Sequence, residues 1–110
     1  MNQSLQSDSP WVSAVLVNWN RCHLLKKAIQ SLLDQHYANL ELIVVDNGST
    51  DDSLPWLREQ RSIRLIENTK NVGAAAARNQ GTRIARGKYI LYMDSDAELR
   101  TEGALHRLID

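Results

Sequence analysis

The chain has 110 residues, 43% of them hydrophobic and 24% charged, the make-up of one ordinary globular domain. Its 13 basic and 13 acidic residues cancel, so no excess of Lys or Arg is there to neutralise a nucleic-acid backbone. The single cysteine, Cys22, excludes an internal disulfide and any multi-cysteine metal site, and no apolar run reaches the length of a membrane span.

Met1 to Ser9 is polar and lacks the basic-then-apolar pattern of a signal peptide. Residues 1–10 are therefore expected as a flexible tail, ahead of one continuous unit from 11 to 110. Val12 to Val17 is nearly all apolar, as in a strand buried on both faces of a parallel sheet. It runs into Asn18-Trp19-Asn20. Leu25, Ala28, Ile29, Leu32 and Leu33 recur at helical spacing between His23 and His36, with Lys26, Lys27, Gln30 and Asp34 elsewhere on that helix. Leu40 to Val45 reads as a second strand, stopped at Asp46, and Asn47-Gly48-Ser49-Thr50-Asp51 is dense in turn and cap residues. A second helix is expected from Asp52 to Gln60, with Pro55 in its first turn.

Ile63 to Glu67 is a short third strand, and Asn68 to Asn71 a polar loop. Val72 to Arg86 is a third helix, in which Gly81 permits close packing on the sheet. After Gly87, Lys88 to Met93 forms a fourth strand ending in Asp94-Ser95-Asp96. Leu105, Leu108 and Ile109 place a last helix from Thr101 to Asp110.

This alternation calls for a Rossmann-like β/α sandwich: a mainly parallel four-stranded sheet with right-handed crossovers and helices on both faces. Ligands of such sheets bind beyond the carboxyl ends of the strands, near the point where strand order reverses. Asn18-Trp19-Asn20, Asp46-Asn47-Gly48 and Asp94-Ser95-Asp96 all fall at strand carboxyl ends, hence on one edge.

The glycine fingerprint of a dinucleotide fold is missing after the first strand, and the phosphate-binding G-x-x-x-x-G-K-[ST] loop is absent. A phosphoacceptor receiver domain would need a carboxylate pair where Asn18-Trp19-Asn20 stands. What the edge does offer is an aromatic platform, a carboxylate, an arginine and a D-x-D pair. Trp19 can stack on a flat base, and Asp46 can accept N–H hydrogen bonds from it. Arg78 can pair with a phosphate or the base edge. Asp94 and Asp96, two apart in an extended segment, face the same side, as hard oxygen ligands for Mg²⁺ or Mn²⁺ on a diphosphate. D-x-D alone is a weak signal, because Asp and Ser also favour an ordinary turn.

Four segments in order resemble family 2 glycosyltransferases of the GT-A fold: Val15 to Asn20, Ile43 to Asp51, Asn68 to Gly81, and Gly87 to Asp96. The resemblance covers about Val12 to Asp110, and four motifs at compatible spacing make it specific. It implies a partial GT-A fold: the nucleotide-sugar-binding half of the domain, truncated before the acceptor half. It also implies a UDP-, TDP- or GDP-linked sugar donor, a divalent metal, and transfer with inversion to a sugar or lipid-linked acceptor. Trp19, where the family has an aromatic, Asp46, Arg78 and Asp94 match its nucleotide-binding positions, and Asp96 with Asp94 its metal position. Asn71 and Gly73 match a loop and helix start beside the nucleotide. No residue here matches the catalytic base, since Glu98 and Glu102 lie too close to the D-x-D. The implied location is cytoplasmic, with peripheral attachment at the inner face of the membrane as the alternative.

A different class of function is a non-catalytic nucleotide-binding or oligomerisation module, pairing as a homo-oligomer through the fourth-strand edge. The remaining candidates read as structural. His23, His36 and His106 are scattered, without metal-ligand spacing. Trp11 and Trp56 read as packing residues, and Lys26-Lys27 and Arg83 to Arg86 as solvated helix faces.

Overall fold

A computed structural model describes residues 10–95. Residues 1–9 of the expected tail, Asp96 and the expected last helix lie outside the described residues. Pro10 is tied down: the Tyr37 hydroxyl donates to its carbonyl at 2.7 Å.

The elements are β1 (Val12–Asn18), α1 (Cys22–Leu33), β2 (Leu40–Asn47), α2 (Ser53–Arg58), β3 (Ile63–Asn68), α3 (Ala74–Ile84) and β4 (Tyr89–Asp94). All strand pairs are parallel, in the order β3-β2-β1-β4. The chain lays β2 and β3 to one side of β1, then crosses back to place β4 on the other. The reversal of strand order therefore falls between β1 and β4.

The reversal also sorts the helices. Ala14, Leu16, Leu42 and Val44 face α1 and α2 in a core with Leu25, Ala28, Ile29, Leu32, Leu57, Ile63 and Met93. Val15, Ile43 and Val45 point the other way, beneath Gly81 of α3. Right-handed crossovers require this split, and it explains why β1 and the middle of β2 are apolar on both faces.

The helices are shorter than expected, each for a local reason. The last turn after α1 tightens, Gln35 N–H bonding to Leu32 O and His36 N–H to Leu33 O. His36 then adopts φ 53°, the left-handed conformation that ends helices. The turn after α2 tightens in the same way at Glu59 and Gln60. α3 begins two residues late because Gly73 has φ 90° and ψ 158°, a region only glycine enters easily. Ala85 is already extended at its other end. Trp56 packs against the core, with the Lys26 ammonium 5.3 Å from its ring centre. Trp11 departs from the packing role expected of it and is 52% exposed, because it precedes β1 and lies beyond both cores.

Candidate functional site

Register fixes which strand tips meet at the carboxyl edge. Val17 pairs with Asp94 and Asn18 with Asp46. The three candidate groups are thus on adjacent strands, but they divide between two environments.

The first is a cavity of about 210 Å³ on the α3 side of the β1–β4 reversal. Val15, Val17 and Met93 line its apolar part, with Ala74 and Arg78 from α3, Asp94 and Ser95 from the end of β4, and Arg21 from the loop after β1. Arg78 and Asp94, both singled out in the sequence, therefore share one cavity. Gly73 caps α3 without a side-chain hydrogen bond of its own, and its N–H donates to Asn71 Oδ1 at 2.8 Å.

The second environment is the braced pair of loops after β1 and β2. Asp46 is fully buried. Its Oδ1 accepts from Asn18 Nδ2 at 3.1 Å and Ser49 Oγ at 2.7 Å, and its Oδ2 from Ser49 N–H at 3.0 Å. The carboxylate expected to face a base instead holds the Ser49 turn in this structure. Asn18 is equally buried, and its Oδ1 has no partner. Asn20, at φ 54°, accepts the N–H groups of Thr50 at 2.7 Å and Asp51 at 3.2 Å, while its own N–H donates to Ser49 Oγ. Trp19 stands between these two anchored asparagines and is 51% exposed. It does not line the cavity that Arg78 and Asp94 share.

Asp51 joins the starts of two helices. It accepts from Cys22 N–H at 3.1 Å and from Ser53 N–H at 2.9 Å. Burial alone would raise its pKa, but the N–H groups of Ser53 and Cys22 outweigh it and hold the carboxyl below its usual range.

An amide network that no local sequence pattern signals positions α3. Asn47 is buried. Its Nδ2 donates to Asn71 Oδ1 and Gly73 O, and its Oδ1 accepts from Val72 N–H at 3.0 Å and Asn68 Nδ2 at 3.2 Å. Asn68 and Gln80 exchange two further bonds, of 2.7 and 3.0 Å. Gly48, at φ 83°, lies against this loop, where an added Cβ would sit 2.8 Å from Lys70 Cα. The tip of β2 thereby sets where α3 starts, and so where Arg78 stands. The partners are more than ten residues apart in sequence, and only the fold brings them together.

The donor set for a metal can be judged in part. Among the described residues no cluster of three or more His, Cys, Asp or Glu side chains forms. Asp94 is the carboxylate lining the cavity, and Asp96 lies outside the described residues. Asp94, the one carboxylate lining this cavity among the described residues, fits a Mg²⁺ or Mn²⁺ ion that keeps several waters and takes its other oxygens from a phosphate.

The family described as Glycosyl transferase family 2 matches residues 13–110. An uncharacterized glycosyltransferase of Haemophilus influenzae is 38% identical over 91 residues, covering 79% of this chain and 36% of that protein. The UDP-Glc:alpha-D-GlcNAc-diphosphoundecaprenol beta-1,3-glucosyltransferase WfaP of Escherichia coli is 37% identical over 87 residues, covering 77% of this chain and 35% of that one. The chain thus spans about a third of the length of these relatives. Among solved structures, the mannosyltransferase PcManGT of Pyrobaculum calidifontis, in complex with GDP-Man and Mn²⁺, superposes with a TM-score of 0.82 at 28% identity. That match covers 91% of this chain and 31% of the mannosyltransferase.

Proposed function

The chain belongs to glycosyl transferase family 2, and from that premise we propose that it holds the nucleotide-diphospho-sugar of a sugar-transfer reaction at the β1–β4 reversal. The observation that carries this reading is the shared cavity of Arg78, Asp94 and the start of α3, at the place where parallel sheets bind ligands. The volume helps to assign the parts. About 210 Å³ is below the ~300–1,000 Å³ of whole small-molecule sites. It suits a diphosphate, with the base and sugar extending outside it. Arg78 pairs with phosphate oxygens, and Asp94 holds the divalent ion or a ribose hydroxyl, joined by Asp96.

Trp19 supplies the flat surface for the base. Asp46 and the unpartnered Asn18 Oδ1 are the acceptors below it. Leaving a buried acceptor unpaired costs about 1–3 kcal/mol. A donor N–H of the base offsets that cost once the Ser49 turn gives way. The identity of the relatives supports a donor of the UDP or GDP kind, TDP being the third candidate, and Mn²⁺ or Mg²⁺ as the ion.

In the whole protein, a hydroxyl of a sugar or lipid-linked acceptor attacks the anomeric carbon with inversion, its proton passing to a general base. The bond from that carbon to the diphosphate oxygen breaks, and its electron pair leaves with the nucleoside diphosphate. A divalent ion held by Asp94 and Asp96 would supply Lewis-acid neutralisation of that leaving group. The chain's own residues bind and orient the donor.

Calorimetric titration of the 110-residue chain with UDP, GDP and TDP, with and without Mn²⁺, tests the reading. One of the three should bind more tightly with Mn²⁺. Arg78→Gln should weaken that binding about ten-fold or more, the worth of a charged hydrogen bond. Asp94→Asn should remove most of the Mn²⁺ dependence. A folded chain that binds none of the three overturns the proposal.

A further inference from the structure

Arg21 belongs to none of the groups discussed so far, yet it lines the same cavity as Arg78. We infer that Arg21 is a second phosphate-binding cation, closing on the donor's diphosphate from the β1 side while Arg78 holds it from the α3 side. The inference rests on the nucleotide-sugar reading and adds a residue to it.

Three observations support it. First, the backbone of Arg21 is anchored. Its carbonyl accepts the Leu25 N–H at 2.8 Å as the opening bond of α1. The residues on either side are held from the second loop, Asn20 N–H by Ser49 and Cys22 N–H by Asp51. A guanidinium on such a junction gives up less freedom when it binds than one on a loose loop. Second, among the described residues two arginines, Arg21 and Arg78, and one aspartate, Asp94, line the cavity. Two fork-shaped guanidinium donors suit a ligand that presents several phosphate oxygens. Third, the walls are opposed: Arg21 comes from the loop after β1 and Arg78 from α3, with apolar Val15, Val17 and Met93 between them. An anion there meets charged donors on both sides and low-dielectric surface between, where charge-assisted hydrogen bonds are strengthened.

The chemistry gives the second cation a task. As the bond from the anomeric carbon to the diphosphate oxygen breaks, negative charge grows on that oxygen. A pre-placed N–H donor is worth most where charge develops. Arg21 is therefore a binding residue for the donor and a stabiliser of the departing diphosphate.

The probes are inorganic pyrophosphate, UDP and uridine, each titrated into the full chain and into Arg21→Gln, Arg21→Lys and Arg78→Gln. Arg21→Gln should weaken pyrophosphate and UDP about ten-fold or more and leave uridine unchanged. Arg21→Lys should fall between, since it keeps the charge and loses the two-pronged donor. Arg21 is exposed, and an unchanged thermal midpoint confirms that each variant is folded. Unchanged pyrophosphate affinity in Arg21→Gln, or an equal loss for uridine, overturns the inference. If Arg78→Gln loses UDP while Arg21→Gln does not, the inference falls and the nucleotide-sugar reading stands. A folded wild-type chain that binds neither pyrophosphate nor any of UDP, GDP and TDP overturns both.

Discussion

Glu41 shows how a carboxylate at the amino end of the sheet is put to structural use. Its side chain is 10% exposed. Its Oε2 accepts from Ser13 Oγ at 2.6 Å and Arg86 N–H at 2.9 Å, and its Oε1 from Arg64 Nη1 at 2.7 Å. The same Arg64 nitrogen donates to Ile84 O at the end of α3. Burial pushes the Glu41 pKa up, but the Ser13, Arg86 and Arg64 donors together pull it below the usual glutamate value of 4.5. A depressed folded-state pKa contributes stability that is fully present above the unfolded value and is lost as pH falls through the folded one. Urea midpoints measured from neutral pH down through 4.5 and below should therefore fall, and Glu41→Gln should flatten that acid limb while lowering the midpoint at neutral pH. An acid limb identical in the two proteins would refute the assignment. At this scale the site was legible only in part. Trp19 and Asp94 stand out as candidates because they end strands, where ligands of such sheets bind, whereas Arg78, on α3, is singled out by the family resemblance. That Asp46 turns inward to Ser49, and that Arg21 reaches the cavity of Arg78, depends on loop paths that no periodicity encodes.

Elements were more legible than side-chain networks, because burial imposes a period and networks do not. The unbroken apolar run of β1 and the i, i+3, i+4 stripe of α1 are each produced by the face they bury. Boundaries were less legible, since they turn on single dihedral angles such as those of Gly73 and His36. Gly81 is the clearest case of packing overriding propensity. Alanine there should favour an isolated helix by about 1 kcal/mol. A Cβ at this position, however, would lie 2.5 Å from Val15 Cγ1, 3.5 Å from Val45 Cγ2 and 3.6 Å from Ile43 Cγ2. Val15 is buried and β-branched, so its methyl group has little room to turn away. Gly81→Ala should accordingly destabilise the protein, by about 1–3 kcal/mol for an overpacked core. Val15→Ala should be the compensating change, with the double mutant more stable than the sum of the single effects predicts. Strictly additive effects, measured by chemical denaturation, would mean that α3 shifts outward and that this contact does not fix its height.

On the scale of the whole molecule, β4, like β3, is an edge strand among the described residues. It pairs with β1 along one flank, and among the described residues no strand pairs with the other. Tyr89, Ile90 and Tyr92 are 40%, 37% and 48% exposed. A parallel sheet is ordinarily covered on both faces, and an apolar edge with free backbone groups is a template for another chain. Tyr92 is anchored, its hydroxyl 2.7 Å from Thr82 Oγ1 of α3, so part of the surface is fixed in place. Three side chains are a small patch beside the ~800 Å² per partner of a standard stable interface. The 110-residue chain should therefore self-associate weakly, with an average mass that rises with concentration above the monomer's 12.5 kDa. Ile90→Lys places an ammonium on the edge, where it must be desolvated if a second chain pairs, and should return the mass to that of the monomer. Because Ile90 lines neither the Arg78 cavity nor the loops around Trp19, the same variant should bind nucleotide as the wild type does. Light scattering across a dilution series, with UDP titration of both proteins, measures the two properties separately. A wild-type mass of 12.5 kDa at every concentration would remove the edge from consideration and leave the nucleotide reading untouched. Loss of nucleotide binding in a folded monomeric Ile90→Lys would instead tie the site at the β1–β4 reversal to assembly.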